Sequence, residues 1–338
     1  MIEIDPLLAV LAEKLAGGTS FQPSDVDLTQ SFAPSVKEVF EKDANLVEEE
    51  VIDRSQVTNL SPMYPSEMTV VAIDSTSFCL GHIPEGVVGS LRVSVISKPT
   101  GHTCCKLERY GPFLVPITYQ NKNALYQKLY KAVYGQSVDF PAADFLTTLD
   151  RIRNLLERHI QFEVAKTYSD SLLLLDGSLI GGTVANPMPF VRKIIDNAAR
   201  NRNSIAAVSK STGLTLQHSH RSILSLLEGF SGPCYVGSVR NHITQQRERY
   251  LGEIYVARLT PRGEVFRIDI PENAPILHSE ILNAIAGLAG EYGYPEEMKL
   301  AHMTCVHSAI EILELQAAAI NLHELVMKEE ARLRIFPF

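Results

Sequence analysis

Four consecutive leucines, Leu172 to Leu175, predict a strand buried on both faces, and Asp176-Gly177-Ser178 predicts where it stops and turns. Upstream, Phe145, Leu149, Ile152, Leu156 and Ile160 recur three or four apart, which predicts a long amphipathic helix over 142–167 leading into that strand. Residues 68–77 read as a strand with Asp74 at its end. Residues 86–97 and 103–117, rich in Val, Ile, Thr and Tyr, predict two further strands and so a three-stranded antiparallel start. Helices are expected over 122–134, closed by Gly135, and over 190–200 and 219–228. Short strands are expected over 204–210 and 234–239, and a hairpin joins 253–260 to 264–270 across Pro261-Arg262-Gly263. The remainder, 278–289 and 300–334, is expected to be helical apart from the loop at Gly293-Tyr294-Pro295. At the front, 6–16 predicts a helix stopped by Gly17-Gly18, and 1–67 reads as an N-terminal arm of short helices and loops. No linker or repeat divides the rest, so 68–338 is expected to form one compact α/β domain.

Composition changes this picture only at its margins. With 338 residues, 45% hydrophobic and 21% charged, the chain is neither disordered nor fibrous. Its formal charge of -8 means that bulk attraction does not draw it to nucleic acid or anionic membrane. Such binding would need local basic patches, metal ions or a partner. The five cysteines form no CxxC pair and no zinc-type spacing with histidine, and are expected to be reduced and mostly buried. No signal-peptide pattern opens the chain and no run approaches the roughly 20 apolar residues of a membrane span, so a cytoplasmic protein is expected.

The candidate chemistry lies at strand ends. If the strands of Asp74 and Asp176 are parallel neighbours, their carboxylates meet where a divalent ion can bridge them. Hard oxygen ligands favour Mn²⁺ or Mg²⁺, and two such ions suit phosphodiester hydrolysis. Otherwise each acid sits in its own polar loop, and Asp176 only caps a turn. The long helix offers two candidates for a third acid. Glu163 falls inside the apolar stripe and Glu157 at its margin. His302, on a helix after Tyr294-Pro295, could ligate a metal or carry a proton, with Tyr294 orienting water or phosphate; it could equally be a satisfied core residue. His307 is expected further along the same helix. Lys210 could contact a scissile phosphate as a point charge, or be an ordinary exposed lysine.

Taken in order, Asp74-Ser75, a helix Glu, Leu174-Leu175-Asp176-Gly177-Ser178-Leu179, Ser209-Lys210 and Tyr294-Pro295 followed by Ala301-His302 resemble the NurA nuclease family over most of the chain. The resemblance implies a ribonuclease-H-like mixed sheet flanked by helices and a manganese-dependent DNA nuclease, with 5′ to 3′ exonuclease and single-strand endonuclease activity. It further implies a homodimer that docks on a HerA-type hexameric translocase in DNA end resection. Carried over, Asp74, Glu157, Asp176 and His302 would be metal ligands and Tyr294 a supporting residue. Leu155-Leu156-Glu157 looks more like the family's pattern than the surroundings of Glu163. Ser75-Thr76 departs from the Gly-Ser that often follows the first acid. Arg192, Lys193, Arg200, Arg202, Arg240, Arg247 and Arg249 could line a DNA channel or form a solvated face. Two other functions stay open: a catalytically silent subunit that binds the translocase, and a ribonuclease-H-type enzyme acting on RNA.

Overall fold

The structure, a computed structural model, describes residues 56–137 and 143–327 together with residues 7, 10, 11, 15, 17–25 and 45–48. Most of the helix expected over 6–16, much of the arm and the chain beyond 327 lie outside the described residues; Leu7, Val10 and Leu11 are helical. The described pieces of the arm include three short strands, β1 (Ser20–Pro23), β2 (Asn45–Val47) and β3 (Thr58–Asn59), where short helices and loops were expected.

A long meander follows, made of β4 (Thr69–Ile83), β5 (Gly86–Lys98) and β6 (Lys106–Thr118). Then come α1 (Lys122–Tyr134), α2 (Phe145–Thr167), β7 (Ser171–Asp176), α3 (Met188–Arg200) and β8 (Ser204–Ser209). Gly135 closes α1 in the left-handed conformation, as its position in the sequence predicts. Helix α2 starts later than expected, because the Asp144 side chain accepts the Thr147 N–H at 3.0 Å and fixes the N-terminus there. β5 is antiparallel to both β4 and β6, whereas β4, β7 and β8 are mutually parallel. The spatial order β6-β5-β4-β7-β8 with one reversed strand is a ribonuclease-H-like mixed sheet.

The sheet continues through β12 (Val265–Ile270), β11 (Glu253–Arg258), β10 (Cys234–Val236) and β3, while β9 (Leu214–Leu216) pairs with β2. β11 and β12 form the expected hairpin. The helix expected over 219–228 is reduced to a 3-10 turn, Ile223–Leu227. Helices α4 (His278–Leu288), α5 (Glu296–Cys305) and α6 (Ala309–Leu322) precede the short strand β13 (Val326–Met327). By length and composition Glu296–Leu322 could cross a membrane. The run is divided, however, because Ser308 and Glu311 form a capping box that restarts the helix. His307 therefore sits in the break between two helices, not on the helix of His302.

The two faces of the sheet carry separate cores. Val71, Ile73, Leu173 and Leu175 pack with α1, α2 and α3, while Val70, Ala72, Leu172 and Leu174 pack with α4 and α5. All four leucines of β7 are buried, two to each side, as a continuous apolar run requires of a central parallel strand. Burying each such side chain stabilises the fold by roughly 1.5–3 kcal/mol.

Candidate active site

β4 outruns its neighbour. Its pairing with β7 ends at Ile73↔Leu175, and on the same edge β1 joins only at Gly81 and His82. Between them residues 74–80 border a notch in the sheet. Asp74 therefore lies in the middle of a 15-residue strand, not at the end of one as expected. It is β7 that stops beside it. One further step in register sets Asp176 next to Asp74, with both side chains on the α5 face by the period-2 alternation of a strand. The strands that carry the two acids are parallel neighbours, paired up to Ile73 and Leu175.

Asp74 is 2% exposed. Its Oδ1 accepts the Ser75 N–H at 2.7 Å, and its Oδ2 lies 2.7 Å from Nδ1 of His302 on α5. Pro295 begins α5, and a bridge between Ala289 and Pro295 together with Gly290 N–H to the Tyr294 carbonyl at 3.0 Å fixes the loop before it. Tyr294 packs on Phe266. Burial, then the charges of Asp176 and Asp74, push the phenol far above its usual range, so it stays a hydrogen-bond donor. Lys210, just beyond β8, holds its ammonium 4.4 Å from the Tyr294 ring centre. Asp74, Asp176, Tyr294, His302 and Lys210 thus share one side of the sheet.

Glu157 approaches from the other side. Along β4 the residues facing α2 change from Val71 and Ile73 to Ser75 and Ser77, and α2 answers with Glu157 and Asp150, which those two hydroxyls contact. Arg153 Nη1 reaches Glu157 at 3.0 Å and Ser75 at 2.8 Å, and Gln161 donates to Glu157 at 3.0 Å. Glu157 is consequently held beside the backbone that carries Asp74. Glu163, two turns further on, instead pairs with Lys166 at 2.9 Å. Both are buried, Glu157 at 5% and Glu163 at 8% exposure, so the helical-wheel margin does not separate them. What separates them is the Ser75 contact, which only the fold supplies.

The turn after Asp176 is pinned from below. Gly177, at φ +104°, donates its N–H to the Val208 carbonyl at 3.0 Å. The Leu179 N–H donates to Asp269 Oδ2 at 2.9 Å, and Asp269 is gripped by the fully buried Arg267 through Nε at 2.7 Å and Nη2 at 2.8 Å. A buried bidentate ion pair of this kind fixes geometry more than it adds stability.

No family model matches the chain, and no curated protein matches it. In overall fold the chain is similar to NurA nucleases. It is 15% identical to the NurA nuclease of Sulfolobus solfataricus, with 79% of this chain and 88% of that chain covered and a TM-score of 0.47. A manganese-bound NurA is 8% identical, covering 73% of this chain and 86% of that one at a TM-score of 0.37. The endonuclease V of Streptomyces avermitilis is 10% identical, covering 78% of this chain and 89% of that one at a TM-score of 0.38.

Sequence reasoning missed three participants. Cys305, one turn beyond His302, brings its sulfur within 4.8 Å of the Asp74 and His302 ligand atoms, although the cysteines showed no zinc-type spacing. Its thiol donates to the His302 carbonyl at 3.2 Å, a contact within the helix. Ser94, directly across from Asp74 on β5, has a buried hydroxyl without a hydrogen-bond partner. The Arg267–Asp269 pair is the third, and only its two-residue spacing on one strand hinted at it. The expectation that the cysteines are mostly buried also changes: Cys234 and Cys305 are buried, Cys79 is half-buried, and Cys104 and Cys105 are exposed in a loop. The basic residues named above are divided among different surroundings. Arg202 pairs with Asp170 before β8, at the end of the strands opposite Asp176, whereas Arg249 donates to the Gly181 carbonyl just beyond the acid turn.

Proposed function

We propose that the chain is a metal-dependent nuclease that hydrolyses phosphodiester bonds of DNA at the notch beside β4. The observation that carries this reading is the contact of His302 with Asp74 at 2.7 Å, on a strand that runs parallel to that of Asp176 up to the residue before each acid. Two carboxylates and an imidazole suit a hard divalent cation, and the unpartnered Ser94 hydroxyl beside Asp74 marks a buried polar site with capacity for a further bound group. Asp74, Asp176, His302 and the helix acid Glu157 would hold Mn²⁺ or Mg²⁺, as one or two ions. When bound, the metal supplies Lewis acidity and an activated water. His302 orients the Asp74 carboxylate, Tyr294 donates a proton-bearing hydroxyl toward phosphate oxygen, and Lys210 meets phosphate charge.

The finer reading rests on the order of motifs in the sequence. It comprises 5′ to 3′ exonuclease and single-strand endonuclease action by a homodimer, with a HerA-type translocase, in DNA end resection. The net charge of -8 agrees with a nuclease that relies on a partner to hold DNA. The test is cleavage of end-labelled DNA and matched RNA in Mn²⁺ by the wild type and by Asp176→Asn. Cleavage of DNA by the wild type alone supports the reading. Full activity of Asp176→Asn sinks it, and absence of metal binding dependent on Asp74 and Asp176 in titration calorimetry favours the silent-subunit alternative.

A further inference from the structure

A groove of about 930 Å³ opens beside the candidate centre, and its wall includes Lys210 and Tyr294 from that centre together with Tyr292, Arg221 and Arg258. That volume is within the range of ligand sites. Tyr292 is 75% exposed, although its backbone is tightly held. Its carbonyl accepts the Glu264 N–H at 3.2 Å, and the Gly293 N–H donates back to Gly290 at 2.9 Å. Gly293 has φ +82°, and a Cβ on Gly263 would meet the Gly293 Cα at 2.8 Å, so the two loops are packed backbone to backbone. The ring is thus presented to solvent on a stiff support, with an aromatic face that the fold leaves unused. The Arg258 guanidinium is anchored at one end by Nη1 donating to the Phe230 carbonyl at 2.6 Å, and its buried Nε has no partner. Arg221 contacts Glu228, a surface ion pair in which phosphate can replace the carboxylate.

We propose that this groove binds the unpaired nucleotide adjoining the scissile phosphate, its base stacked on Tyr292 and its own phosphate against Arg258 and Arg221. The inference rests on the nuclease reading, because Lys210 and Tyr294 are what join the groove to the reacting phosphate. The occupant is unpaired because a base within a duplex has both faces covered, and only a splayed-out base can turn onto a side-on ring.

The test uses the full chain carrying Asp176→Asn, with fluorescence anisotropy of a labelled DNA oligonucleotide in Mn²⁺. Adding Tyr292→Ala should weaken single-strand binding about tenfold, Tyr292→Phe should retain it, and binding of the blunt duplex of the same sequence should not change. Tyr292 is a surface ring, so its loss leaves the core intact. Equal binding by the Ala and Phe variants overturns the groove, as does an equal loss for duplex and single strand. Cleavage by the chain with Asp176 intact is measured alongside. If it cleaves while Tyr292 is irrelevant, the groove fails and the nuclease reading stands; if it does not cleave while the Tyr292 dependence persists, the nuclease reading fails, and with it the place of the groove beside a scissile phosphate, and only its binding of single strands stands.

Discussion

Two carboxylates one residue apart in contact, but on opposite faces of β4, have been given different surroundings. On the α5 face Asp74 meets a histidine, and its charge acts with that of Asp176 on the half-buried Tyr294 phenol. On the α2 face Glu157 meets Ser75, Arg153 and Gln161. The first setting concentrates negative charge around a ligand that binds cations when neutral. The second supplies a permanent cation from the next turn of the same helix. Charge concentration of this kind is costly unless a cation arrives, whereas the arginine pair is balanced without one. On the proposed function the α5 face would be the ion-holding side, and the α2 face a latch that brings a third acid to the edge of the notch.

That contrast can be broken most directly at Asp176. Replacing it by Asn should lower Mn²⁺-dependent cleavage to about a thousandth of wild type or less while circular dichroism and thermal melting stay unchanged. Comparing Glu157→Gln with Arg153→Ala sharpens the other side. As a member of the centre, Glu157→Gln should cost about 100-fold in activity, clearly more than Arg153→Ala; a pure latch would give equal losses. His302→Ala should weaken Mn²⁺ affinity by roughly 10- to 100-fold, read by titration calorimetry. Tyr294→Phe should cost about tenfold in kcat with no new limb in the pH profile up to pH 10, since the phenol of the wild type is already held protonated.

The smallest effect concerns the joint between α5 and α6. Burial, then Arg92, hold His307 down at about 4. Its folded value lies below its unfolded one, so the unfolded chain takes up the proton first. The stability it contributes is present above about pH 6.5 and is lost as pH falls toward 4. Thermal melting should drop across that window, and His307→Gln should flatten part of the drop.

Much of the fold was legible because long apolar periodicities are local. The leucine run, the α2 stripe and the stop at Gly135 each followed from near neighbours in sequence. The break before α6 was also written locally, in Ser308 and Glu311, but the apolar residues around it masked the restart. What sequence could not convey was the relative length of paired strands. Asp74 looked like a strand end because polar residues follow it, yet Ser75 and Ser77 are polar to match acids on a helix more than 70 positions away. The choice between Glu157 and Glu163 failed on geometry for the same reason: both are buried, and only the tertiary contact with Ser75 distinguishes them. Cys305 was invisible as a neighbour of Asp74 because their proximity depends on how α5 crosses the sheet.

The parts of the centre are also far apart in the order of synthesis. Asp74 and Asp176 belong to strands that pair directly with each other, but Tyr294 and His302 belong to a loop and a helix that follow β12. A nascent polypeptide that has emerged as far as β12 carries both acids and neither of these groups. Its ability to cut DNA, on the reading proposed here, would be withheld until α5 docks, so that the fold itself times the onset of a hazardous activity to the completion of its own core.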